Sequence, residues 1–138
     1  MVAKTIAALK SDMPLGVNGS ISGEDIHNTI DTLEFMTTQK VDTRTASYTA
    51  VVADNRKFFV FNSSTAVTLT LPSSIPVEWE CAVFQIGSGQ VTIAVTGGNL
   101  RHPDGHTKTS KAYAQAYLKV YANSGTSPQV AFTGDTAP

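Results

Sequence analysis

The hydrophobic rhythm of the chain changes near residue 45. Ahead of that point, "ISGEDIHNTIDTLEFM" places Ile26, Ile30 and Leu33 at i, i+4 and i+7. That spacing lines one face of an α-helix and predicts a helix over about residues 23–36. Ser22 stands at the N-cap with Asp25 three residues on, and Glu24 and Asp25 put negative charge at the positive end of the helix dipole. "DMPLGVNGS" reads as a connector before it, and "TTQKVDTRTAS" behind it has no periodicity, so residues 1–46 read as an N-terminal arm. An isolated helix of this length is marginal in water. Its apolar stripe therefore needs a surface to lie on: the chain's own β body, a symmetry mate or a foreign surface.

From Ser47 onward the pattern is short strands punctuated by turn residues. "YTAVVA" ends at Asp54-Asn55 and "KFFVFN" ends at "NSST". "VTLTLP" alternates Val67, Leu69 and Leu71 with Thr68 and Thr70, the mark of a strand buried on one side. "CAVFQI" and "QVTIAV" follow, then Gly97-Gly98-Asn99, the polar "RHPDGHTKTSK", the long run "YAQAYLKVYAN", a turn "SGTSP" and a last strand "QVAFTG". Roughly seven regularly spaced strands predict a mainly β domain over 47–138, a small β-sandwich or barrel of jelly-roll-like kind. Within it, Gly87-Ser88-Gly89 has the look of a phosphate-binding loop. Such a loop must lead into a helix N-terminus, whereas Val91, Ile93 and Val95 alternate with Thr92, Ala94 and Thr96 as a strand does. The three residues therefore read as a hairpin turn.

Composition narrows the function. Of 138 residues, 41% are hydrophobic and only 15% charged, so the surface is neutral and rich in hydroxyls. A net charge of -1 supplies no cationic excess for counterion release, and nucleic acid is not expected as a partner. The single cysteine, Cys81, permits neither an intramolecular disulfide nor a cysteine-based zinc site, and it reads as a small apolar strand residue. No segment has the apolar length of a signal-peptide core or a membrane span, so synthesis in a cytoplasm without a cleaved signal is expected, with no membrane partner.

Four groups of residues could carry chemistry. His102, Asp104 and His106 could ligate a divalent metal, notably across a symmetry axis. Pro103-Asp104-Gly105 is a turn signature, however, and no further regularly spaced ligand accompanies them, so solvated turn residues and no metal are expected. Glu78 and Glu80 flank Trp79 and would share a strand face at about the 5 to 9 Å that glycosidases require. They stand at the start of a strand, where charge guards an edge. Ser63 and Ser64 lack the G-x-S-x-G context of a nucleophile. Tyr113, Tyr117 and Tyr121 read as one face of a strand, with Gln115 and Lys119 between them. That stripe suits a subunit interface better than a sugar-stacking platform, given the low charge nearby. No catalytic residue and no cofactor is expected.

The stretch "SYTAVVADNRKFFVFNSSTAVTLTLPSSIPVEWECAVFQIGSGQVTIAVTGGNLR" resembles the β modules of tailed-bacteriophage virion proteins, which recur in capsid decoration (cement) proteins, tail fibres and tailspikes. The likeness rests on Tyr48 and Thr49, Asp54, Asn62 and Ser63, Thr68 to Pro72, Gln85 to Ile93, and Gly97 with Gly98. It extends over about residues 47–134, through "YLKV" and the closing "FTGD", and "DIHNTIDTL" is similar to the opening of some short phage structural proteins. The resemblance implies a homotrimeric virion protein without catalytic residues, placed on the capsid surface and partnered by the major capsid protein. A compact β body with an N-terminal arm suits a cement protein over junctions between capsid subunits. The alternative is a tail-fibre or receptor-binding module that recognises host-surface polysaccharide. In either role Ile26, Ile30, Leu33, Tyr113, Tyr117 and Tyr121 are the candidate subunit contacts.

Overall fold

Inward-pointing aromatic and aliphatic residues at every second position fold the chain into two packed sheets, seen in a computed structural model that describes residues 39–138. The helix predicted over 23–36, with Ile26, Ile30 and Leu33, lies outside the described residues. One sheet has six strands, in the order β1 (Val41–Arg44), β3 (Phe58–Phe61), β5 (Glu80–Gln85), β9 (Gln115–Asn123), β10 (Pro128–Gly134) and β7 (Asn99–Arg101). The other has five, in the order β11 (Thr136–Ala137), β8 (Lys108–Thr109), β6 (Val91–Val95), β4 (Val67–Leu71) and β2 (Tyr48–Thr49). Phe59, Phe61, Leu69, Leu71, Val83, Leu118, Val120 and Phe132 fill the space between them, all without solvent exposure. The predicted mainly β class is the one observed, and of the two predicted forms the two packed sheets correspond to the sandwich.

The connections between β1 and β6 are not hairpins. From β1 to β6 the chain alternates between the two sheets, and each strand pairs in parallel with the strand two places before it. This makes a stack of three coils, each with one strand per sheet. Phe58 pairs with Ala82 and Val67 with Val91, an offset of 24 residues in both sheets. The turn from β3 to β4 over 62–66 thus lies directly beneath the turn from β5 to β6 over 86–90. Gly87-Ser88-Gly89 is accordingly an arch between sheets, and this corrects its reading as a hairpin. A Cβ on Gly87 would lie 2.1 Å from the Ser63 carbonyl oxygen, and one on Gly89 would lie 1.9 Å from that of Thr65. Close backbone approach, not a left-handed torsion, demands glycine there. Antiparallel pairing enters only with β8 to β11, which complete both sheets beyond the third coil.

The body begins at Gln39, several residues earlier than the predicted end of the arm. β1 escaped the pattern because its inward positions are Asp42 and Arg44, in register with Phe59 and Phe61. These charges close the first coil. The Lys57 ammonium lies 2.7 Å from an Asp54 oxygen and 3.0 Å from Asp42, and the Tyr48 hydroxyl donates to Asp54 at 2.9 Å. The Arg44 guanidinium lies 3.7 Å over the Tyr48 ring and donates through Nη2 to Asp42. Its Nε is 2.7 Å from the other Asp42 oxygen but poorly aligned for a hydrogen bond, so that contact is charge pairing alone. Inward charge on an edge strand blunts the tendency of a free edge to recruit another strand.

A second polar group ties the two sheets together. The Gln85 side chain on β5 is wholly buried, as is Thr109 on β8 of the facing sheet. The Thr109 hydroxyl donates to Gln85 Oε1 and accepts the Val91 N–H at 2.9 Å, while Gln85 Nε2 donates to the Gly87 carbonyl at 2.9 Å. Thr109→Val keeps the shape but strands the Gln85 oxygen and the Val91 amide. A loss of about 2 to 6 kcal/mol in unfolding free energy is expected, at about 1 to 3 for each of the two buried groups left unpaired. Urea denaturation of the two proteins measures it, and an unchanged midpoint would contradict this role.

Candidate binding surface

The outer face of the six-stranded sheet is graded from apolar to charged. Backbone register places Val41, Phe58, Ala82, Tyr117 and Thr133 side by side in one row across five strands. The next row holds Thr43, Val60, Phe84 and Gln115. The Phe58 and Phe84 rings are 6.0 Å apart and Phe84 and Tyr113 are 6.4 Å apart, so an aromatic strip runs to the sheet margin. Val41 is 68% exposed and Tyr113 73%, the two most exposed large hydrophobic residues of the described body. Burying such a strip against a partner is the gain that drives protein association.

On the other side of the apolar rows lies an ion-paired row. Lys119 Nζ is 3.1 Å from Glu80 and 3.4 Å from Glu78, and Arg56 Nε is 3.7 Å from Glu80. The Tyr117 hydroxyl donates to Glu80. That bond, with Lys119 and Arg56, holds the Glu80 carboxyl below its ordinary range against the opposing effect of burial. A glycosidase general acid needs the opposite shift. Burial and the same bond push the Tyr117 phenol up to about 12. Glu78 and Glu80 do not share a strand face as predicted: Glu78 lies in the turn before β5, at φ 74, and the two acids meet only around a shared lysine.

The three tyrosines do not form the uniform strand face that their spacing predicts. Tyr117 lies in regular β9. Tyr121 occupies a β-bulge, since Val120 pairs with Val130 and Ala122 with Gln129, leaving Tyr121 unmatched. Tyr113 precedes the strand altogether, at φ 67. A tyrosine in that region is strained, and its backbone is held by the Tyr113 N–H donating to the Gln85 carbonyl at 2.6 Å. Spacing alone could not reveal Phe58 and Phe84 as members of this surface, because consecutive aromatics in "KFFVFN" point to opposite faces.

The remaining candidates occupy structural positions. Ser63 Oγ donates to the Thr65 carbonyl at 2.8 Å inside the lower arch, and Ser88 Oγ reaches the Ser64 carbonyl at 3.4 Å. Cys81 is buried, and burial with the nearby Asp54 and Glu80 charges pushes its thiol far up, away from thiolate chemistry. His102 and His106 stack with centroids 4.6 Å apart and planes 10° from parallel. His102 Nε2 and His106 Nδ1 both meet the Thr136 hydroxyl, each at 2.9 Å. The Asp104 carboxylate is 4.0 Å from His102 Nδ1 and largely exposed. Among the described residues, no group of three or more histidine, cysteine or acidic side chains is disposed to hold a metal ion, and no helix is long and apolar enough to cross a membrane.

No protein-family model matches the chain, and no curated protein matches it. The face of the six-stranded sheet must be judged on its own geometry.

Glu80→Gln would replace the charged acceptor of the Tyr117 proton with a neutral amide oxygen. In a spectrophotometric titration, one tyrosine should ionise near pH 12 in the native protein and lower in the variant. The folded-state Glu80 carboxyl is depressed, so it stabilises above the ordinary glutamate range and that stability is lost as pH falls through its lowered folded value. The variant should therefore show a flatter decline of thermal stability below about pH 4.5. Identical acid limbs would contradict the assignment.

Proposed function

We propose that the chain is a non-catalytic virion protein that associates as a homotrimer, decorates the outer surface of a tailed-phage head and stabilises the shell against disruption. The observation that carries this reading is the graded sheet face, where an exposed aromatic strip adjoins a row of already paired charges. A surface of that kind offers adhesion and asks for no reaction. The likeness of residues 47–134 to phage β modules supplies the setting.

The mechanism is physical. Three copies joined through sheet faces would bury on the order of 800 Å² per partner if the interface is of ordinary size. A trimer then engages several copies of the major capsid protein at once, and linkage multiplies weak contacts by about 100- to 10,000-fold where the geometry fits. Binding to the assembled shell and not to its separate subunits stabilises the shell by mass action.

Light scattering of the purified chain should give the mass of three copies. Tyr113→Ser should weaken that association by about 10-fold or more, as loss of an interface anchor does, while leaving the unfolding midpoint nearly unchanged. Added to undecorated expanded capsids, the native protein should raise their disruption temperature. A monomer that ignores such capsids would remove the proposal.

A second reading is favoured by one observation, the strained and exposed Tyr113 ring beside Phe84. Aromatic faces stack on sugar rings as well as on protein, so the same strip would serve a receptor-binding module for host polysaccharide. Glycan-array binding that is lost in Tyr113→Ser would favour it, and silence across the array would count against it.

A further inference from the structure

The histidine pair is built as a latch on the last strand. The Asp104 N–H donates to His102 Nδ1 at 3.1 Å, which makes that nitrogen an acceptor and puts the ring proton on Nε2. Nε2 then donates to Thr136 Oγ1, and the hydroxyl hydrogen is left for His106 Nδ1. Every hydrogen in this chain of bonds is used when both rings are neutral. Thr136 belongs to β11, whose pairing with β8 is completed by the Thr107 N–H to the Ala137 carbonyl and the Ser110 N–H to the Asp135 carbonyl, both at 3.0 Å. Phe132 of β10 packs edge-on against His102, with centroids 5.9 Å apart.

We propose that His102, His106 and Thr136 form an acid-labile latch, which holds β11 against β8 when both imidazoles are neutral and releases it when they take up charge. The proton added to either ring must go to Nδ1. On His102 it would confront the fixed Asp104 N–H, and on His106 it would turn the Thr136 hydroxyl hydrogen away and leave its oxygen accepting from two charged rings. The Asp104 carboxylate, 4.0 Å from His102 Nδ1, can turn to one imidazolium. A second cation stacked 4.6 Å away has no carboxylate within ion-pair distance among the described residues. The other charges near the latch are engaged elsewhere or carry the same sign. Arg101 donates to Gln129 Oε1, the Asp135 carboxylate lies by the Gln115 N–H, and Lys108 of β8 is cationic. The latch is therefore closed while both rings are neutral and opens when both carry charge.

Hydrogen exchange on the full chain tests this, with rates corrected for the intrinsic effect of pH. Between about pH 7.5 and pH 5.5 the Thr107 and Ser110 amides should lose protection by about 10-fold or more, while those of Phe58 to Phe61 hold theirs. Thr136→Val should expose the same two amides already at the higher pH, and His106→Gln should shrink the acid effect. Nitrogen NMR at the higher pH should find the Nε2-protonated form of both rings. Equal protection of Thr107 and Ser110 at the two pH values in the native protein, or an Nδ1-protonated His102, would overturn the proposal. Neither outcome touches the assembly reading, which rests on the opposite sheet.

Discussion

Gln85 carries a primary amide to a place that water does not reach, and the two-sheet arrangement depends on what that amide finds there. Burying such a group without partners costs about 2 to 7 kcal/mol, so any packing that leaves it unmet is strongly disfavoured. Its oxygen is met by Thr109 from the opposite sheet, and its nitrogen by Gly87 at the mouth of the next arch. The bond to Thr109 selects one registration of β8 against β5 across the core. The bond to Gly87 shapes the arch that carries the chain over to β6. Apolar contacts supply most of the cohesion, but they would tolerate a slipped strand more readily than this pair does.

The arches impose a complementary constraint. With 1.9 and 2.1 Å between a hypothetical Cβ and the carbonyl oxygens below, the upper turn can rest on the lower one only if residues 87 and 89 have no side chain. Ser63, in the lower turn, folds its hydroxyl back onto Thr65 and so satisfies polar groups that the crowded stack would otherwise leave open. At the outer margin of the first coil the solution is electrostatic. Burial opposes the charge on Asp42, yet hydrogen bonds from Arg44 and Lys57 outweigh it and hold that carboxyl below its ordinary range. β1, the edge strand of the described sheet, is thus backed by fixed, compensated charge.

Much of this could be read from residue order. The alternation of Val67, Leu69 and Leu71 with threonines gave both the strand and its buried side, and the strand after Gly89 ruled out a phosphate loop. What could not be read was partnership. A glycine-bearing turn between two apolar strands is compatible with a hairpin in one sheet and with an arch between two, because the local pattern is the same and only the 24-residue offset distinguishes them. β1 was hidden because its inward residues are charged, which inverts the signal that marks a strand. The binding surface was legible in part. Tyr117 and Tyr121 do face outward, but the departure of Tyr113 into a left-handed turn and the outward aim of Phe58 and Phe84 depend on tertiary placement.

The equal spacing of the second and third coils has a consequence for how such a body can change over generations. Since each turn of the winding contributes one strand to either layer, a duplicated segment of 24 residues could be spliced in as a unit, provided its arch kept the two bare positions. The insert would lengthen both layers by a single interstrand step of about 4.8 Å and leave the ionic seal at one end and the antiparallel closure at the other untouched. Growth by whole windings would widen the adhesive flank without redesigning either terminus.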